Sequence, residues 1–81
     1  MYTQNVFSAS DEQVCRSQII TLGKHLKVIL AKINIMPPLV KIYSPLKQAF
    51  SDSIRAQRIK DYKTCISKTS IALKYSKAYA K

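Results

Sequence analysis

All three prolines of this chain, Pro37, Pro38 and Pro45, fall within a stretch of nine positions, and its one glycine is Gly23. The two residues that most often interrupt helices are therefore missing from long runs on either side of that stretch. A single glycine also argues against tight hairpins and against loops that cradle phosphate, since both need backbone conformations that glycine supplies. The proline cluster divides the chain. Met36 precedes a proline and is pushed out of helical geometry, so Pro37–Pro38 should end whatever helix comes before it. After the stop there are two starts. Pro38 suits the first turn of a helix, where its missing N–H is no loss, and "YSPLKQ" offers Ser44 as cap with Pro45 as first residue.

Before the prolines, the spacing predicts a helix over 11–33. Ser10 and Gln13 match a capping box, and Asp11 and Glu12 place negative charge in the first turn. Residues 1–9 read as a loosely ordered lead. Cys15, Ile19, Leu22, Leu26, Ile29 and Ile33 recur at alternating steps of three and four, and Val14, Ile20 and Leu30 widen that line into the broad stripe of a bundle helix. Arg16, Ser17, Thr21, Lys24 and Lys27 occupy the other side. Gly23 costs this helix about 1 kcal/mol relative to alanine and marks close packing or a slight bend.

A second helix is expected over 39–58. Leu39, Ile42, Leu46, Phe50 and Ile54 keep the helical period across Pro45, so a kinked helix and a restart at Pro45 fit equally. A third is expected over 61–79, opened by Asp61. Tyr62, Ile66, Thr69, Leu73, Ser76 and Ala80 form its apolar line, with Cys65, Ala72 and Tyr79 beside it. Lys63, Ser67, Ser70, Lys74, Lys77 and Lys81 repeat at the same period on the opposite side as a solvated stripe. "KDYKTCISKTSIAL" resembles the turn and second helix of a tetratricopeptide unit. It occurs once, and a lone unit cannot bury its face, so an ordinary helical hairpin is the reading taken. The expected fold is all-α: a small antiparallel bundle of three to four helices forming one domain over 1–81.

The chain is short at 81 residues. It should bury roughly 60% of its unfolded surface, which makes a small core that a partner would help. Its charge is lopsided. Fourteen Lys and Arg oppose four acids, Asp11, Glu12, Asp52 and Asp61, for a net charge of +10. Between Gln13 and Ser51 there are six basic residues and no acid. Such a chain is expected to meet an anionic partner: nucleic acid, a lipid surface or an acidic protein. The opening "MYTQNVFSAS" lacks the basic start and apolar run of a secretory signal. The longest apolar run is about four residues, far below a membrane span. A soluble, cytoplasmic protein is expected.

No residue pattern announces catalysis, and neither cofactor nor metal is implied. His25 is the only histidine and is read as an exposed or edge residue, with no ligand-like neighbours in the pattern. Cys15 and Cys65 each lie on the apolar line of a helix. Two buried free thiols are the expectation, with a bridge between first and third helix as the alternative. Asp11 and Asp61 are explained as helix-start residues, and Asp52 is isolated. That leaves the basic residues. Arg55, Arg58, Lys60 and Lys63 crowd the junction of the second and third helices, with Tyr62 among them. Lys74, Lys77 and Lys81 continue along the third helix, with Tyr75 and Tyr79 interleaved. These seven cations are the candidate surface for an anionic partner, and the three tyrosines are candidate stacking or contact aromatics.

"PPLVKIYSPLKQAFSDSIRAQRIKDY", residues 37–62, resembles a region of the immunity proteins for pediocin-like (class IIa) bacteriocins. Pro38, Leu39 and Val40 match the proline followed by aliphatic residues. Leu46 and Ile54 match the amphipathic helix, and Asp61 and Tyr62 match the opening of the last helix. The resemblance implies a helical, non-enzymatic protein that protects a producer from its own toxin. It would act at the inner face of the cytoplasmic membrane, with the sugar-transport permease that serves as receptor. A small helical nucleic-acid-binding protein of a phage or plasmid is the first alternative. A structural subunit of a larger assembly, self-associated or packed on a neighbour through the first helix, is the second.

Overall fold

The computed structural model describes residues 2–80, with side chains described from Asp11 onward. Three helices follow one another: α1 (Tyr2–Ile33), α2 (Val40–Arg58) and α3 (Tyr62–Ser76), with a short 3-10 turn at Pro37–Leu39 leading into α2. The all-α bundle expected from the periodicity is what forms. Its direction can be read from contacts. Cys15 is joined to Cys65, and His25 Nδ1 lies 2.7 Å from Ser76 Oγ, so residue numbers climb together on α1 and α3. Those two helices are parallel. Cys15 also meets Ala56, whereas Gly23 faces Phe50, so α2 runs back against α1. The path is up, down, up.

Pro37 and Pro38 end the first helix as expected. Ile35 and Met36 donate to the Lys32 carbonyl at 3.0 and 2.7 Å, and Met36 leaves helical geometry at φ −128°, ψ 77°. Pro45 neither restarts nor divides the second helix, which is continuous through it. Its ring removes one backbone donor near the start of α2. Leu46 beside it is anchored in the core, which offsets that single loss. At the far end Asp61 caps α3 as expected: Thr64 donates from its backbone N at 3.3 Å and from Oγ1 at 2.7 Å to the two carboxylate oxygens. The helix ends at Ser76, short of Tyr79, because its last turn tightens: Tyr79 N donates to Ser76 O at 2.9 Å.

Two expectations at the first helix need correction. Its start is not at Ser10, since α1 runs from Tyr2 and no proline or glycine stands ahead of Gly23 to stop it. The lead expected over residues 1–9 is helical from Tyr2 onward, as the opening turns of α1; its side chains lie outside the described residues. Nor does the apolar stripe widen evenly. Cys15, Leu22, Leu26 and Ile29 are buried, but Ile20 and Leu30 are 53% and 51% exposed. With only two neighbours to pack against, α1 has room inside for one narrow line.

The core has two parts. Leu22, Leu26, Ile29, Leu39, Leu46 and Ala72 form the larger, and Cys15, Ala56 and Cys65 the smaller. The cysteines are bridged, not free: the Cα atoms stand 5.6 Å apart across a separation of 50 residues. Their equal depth on parallel helices makes this geometry accessible, and spacing along one chain does not reveal it.

Between α1 and α3 the packing includes polar side chains at seven-residue steps. Gln18 Oε1 accepts from Thr69 Oγ1 and from Ser70 Oγ, His25 pairs with Ser76, and Lys32 Nζ donates to the Tyr79 carbonyl at 3.1 Å. Thr69 and Ser76 are wholly buried, and no described buried side-chain polar atom lacks a partner. Polar pairs at fixed steps along a seam favour one register over its neighbours, because a slip would strand each of them.

Candidate anionic-partner surface

The cationic junction is built by how α2 ends. Arg55 and Arg58 fall in its last turn, where positive charge suits the helix dipole. Ile59 N and Lys60 N then donate to Arg55 O and Gln57 O, and Asp61 N donates to Ala56 O at 2.8 Å. This reversal puts Lys60 in the left-handed region at φ 62°, a conformation usually given to glycine or asparagine. Lys63 follows one turn later on α3. Arg55, Arg58, Lys60 and Lys63 are all exposed, so the junction is a cationic knuckle at one end of the bundle. Asp61 sits within it, with its carboxylate committed to Thr64.

Tyr62 is half-buried. It packs against the Cys15–Ala56–Cys65 cluster and belongs partly to the core. Tyr75 and Tyr79 are exposed, at the other end. They wall a groove of about 510 Å³ between α2 and α3, together with Ile42, Pro45 and Ile71. Asp52 and Lys68 contribute to its lining, and Asp52 also accepts from Gln48 Nε2 at 3.0 Å. Lys68 lies outside the repeating line of Lys63, Lys74 and Lys77, so the period of the third helix does not single it out.

Lys74 and Lys77 are exposed, while Lys81 lies outside the described residues. Lys63 and Lys77 stand about 21 Å apart along the helix axis at its usual rise. The candidate cations are therefore not a single pocket. Six of them are described: a compact knuckle of four and a pair one helix-length away. Lys63, Ser67, Ser70, Lys74 and Lys77 form the thread between, all exposed, as the periodicity required of a solvated face. Acids are sparse here: among the described residues, Asp61 caps α3 and Asp52 faces it across the α2–α3 groove. What the arrangement offers chemically is an extended positive face suited to a surface or a strand of negative charge.

Metal chemistry finds no support in grouping: among the described residues, no three of His, Cys, Asp and Glu gather to hold an ion. His25 is half-buried at the edge of the α1–α3 seam, paired with Ser76. Among the described residues, no helix is long and apolar enough to cross a membrane. Compared with protein-family models, with curated proteins and with solved structures, the chain matches none.

Proposed function

We propose that the protein is a non-enzymatic binding protein whose cationic face takes an anionic partner, and that the partner is the inner surface of a membrane. The observation that carries this is the exposed thread from the Arg55–Arg58–Lys60 knuckle down α3 to Lys74 and Lys77, long and nearly free of acids. Each lysine or arginine held near an anionic leaflet contributes about 1 kcal/mol, so a face of this kind binds without any pocket. A flat surface also suits cations spread along a helix better than a compact ligand does.

The more specific role is immunity to a pediocin-like bacteriocin, exercised in the cytoplasm at the membrane. It rests on the resemblance of residues 37–62. The test is protection: expression in a sensitive strain should raise the bacteriocin dose needed to kill it, and unchanged killing across a panel of such toxins would refute the role. Reducing conditions in the cytoplasm would open the Cys15–Cys65 bridge. The role therefore requires that the reduced protein, with both thiols still in the cluster, keeps its helical circular dichroism signal in reductant.

Nucleic acid is the second reading, favoured by the arginines and Lys60 gathered at the knuckle. It is weakened by Tyr62, which is half-buried and packs in part against the core. It predicts a mobility shift of DNA or RNA that falls steeply with added salt. No shift at low salt removes it.

A further inference from the structure

A second groove, of about 520 Å³, runs between α1 and α2, away from the α3 thread. Its walls are apolar. Ile20 and Leu30 rise half-exposed from α1, and Tyr43 and Phe50 face them from α2. Large aliphatic side chains left in water over a stretch like this are a cost to the isolated chain that a partner would relieve. The charged groups on the rim are Lys24 and Lys27 on one side and Lys47 on the other, all exposed, and no acid lines it. That is a consequence of sequence: every wall residue comes from the run between Gln13 and Ser51, which holds six basic residues and no acid.

Gly23 lines the same groove. No glycine of the chain has a positive φ, so the backbone does not require one there. Nor does packing require it, since a Cβ at Gly23 would meet Phe50 Cε1 at 3.4 Å, an ordinary contact. Yet glycine costs the helix about 1 kcal/mol relative to alanine. What it does achieve is to keep the groove deep.

We propose that this groove docks an acidic amphipathic helix of a partner protein, making a fourth helix beside α1 and α2. From Ile19 to Leu30 the groove runs about 16 Å, three turns, which accepts apolar anchors at successive turns of a docked helix. Carboxylates flanking those anchors would reach Lys24 and Lys27 on one rim and Lys47 on the other. Cations distributed along both rims fit a helix with two charged flanks; a lone lipid headgroup would call for cations converging at one end. A second copy of the chain is disfavoured by its own net charge of +10.

The experiment titrates isotope-labelled protein with a synthetic helical peptide of about 18 residues, a leucine stripe flanked by glutamates, at about 0.15 M salt. A matching peptide with lysine in place of glutamate, palmitate, and phosphatidylglycerol vesicles run alongside. The glutamate peptide should saturate, shifting amides of 19–30 and 43–50, and the lysine peptide should bind at least about tenfold more weakly. Reversing Lys24, Lys27 and Lys47 to glutamate should weaken binding by about tenfold or more. Gly23→Leu, which fills the floor, should weaken it about fivefold, with the helical circular dichroism signal checking that the variant folds. The proposal is overturned if the peptide does not saturate, if the shifts fall on α3 instead, if the charge reversals leave affinity unchanged, or if palmitate or vesicles occupy 19–30 and the peptide does not. Because the α3 thread plays no part here, loss of vesicle binding and loss of peptide binding are separate results.

Discussion

Opening the Cys15–Cys65 bridge should remove a large share of the protein's stability, and the size follows from where the two residues sit. The bridge closes a loop with a sequence separation of 50. In the chain-entropy treatment, a loop of that length restricts the unfolded state by about 14 cal/mol/K, or about 4 kcal/mol at 25 °C. A domain of this size has a total stability of about 4–12 kcal/mol, so the reduced protein should be marginal. Reduction is the cleaner perturbation, because it leaves both sulfur atoms in the cluster with Ala56. A double alanine variant also empties part of that cluster and should lose somewhat more. The assay is urea unfolding followed by far-ultraviolet circular dichroism, with and without reductant, and thiol titration in denaturant. With a denaturant slope of about 1 kcal/mol/M, the midpoint should fall by about 3–4 M on reduction. Curves that coincide within about 1 kcal/mol would refute the cross-link argument. So would two thiols titrating freely in protein never exposed to reductant.

Other substitutions test other parts of the fold. Lys60→Gly relieves a left-handed residue and should stabilise by about 1 kcal/mol, read as a higher melting temperature; a loss would mean the turn is held some other way. Asp61→Ala removes the α3 cap and should cost about 1 kcal/mol in denaturant unfolding. Leu22→Ala, in the wholly buried line, should cost about 2–5 kcal/mol, whereas Leu30→Ala on the exposed side should cost well under about 1 kcal/mol. Equal losses at those two sites would contradict the narrow core described for α1.

What could be read from sequence was what depends on one helix at a time. The three-four spacing placed Leu22, Leu26 and Ile29 in the core, Pro37–Pro38 stopped the first helix, and Asp61 opened the last, because each is decided by neighbours a turn away. Features that depend on how helices register against each other were not legible. Cys15 and Cys65 read as free thiols with a bridge between the first and third helices as the alternative, and what decides for the bridge is that parallel α1 and α3 set them at one depth. Gln18, His25 and Lys32 fall at seven-residue steps, a pattern that could have been noticed, but their partners on α3 lie about fifty positions on. Ile20 and Leu30 looked like core because periodicity does not say how many neighbours a helix has. The same limit applies to the surface: exposure of the α3 lysines follows from period, but their separation from the knuckle, and the partial burial of Tyr62, follow from packing.

Vesicle partitioning tests whether the cationic face binds an anionic surface. The protein should bind phosphatidylglycerol vesicles and not phosphatidylcholine vesicles, and added salt should release it. A variant with Lys63, Lys74 and Lys77 replaced by glutamine loses three contributions of about 1 kcal/mol, so its partitioning should fall by about a hundredfold. Equal binding to both kinds of vesicle, or unchanged binding by the variant, would contradict the account.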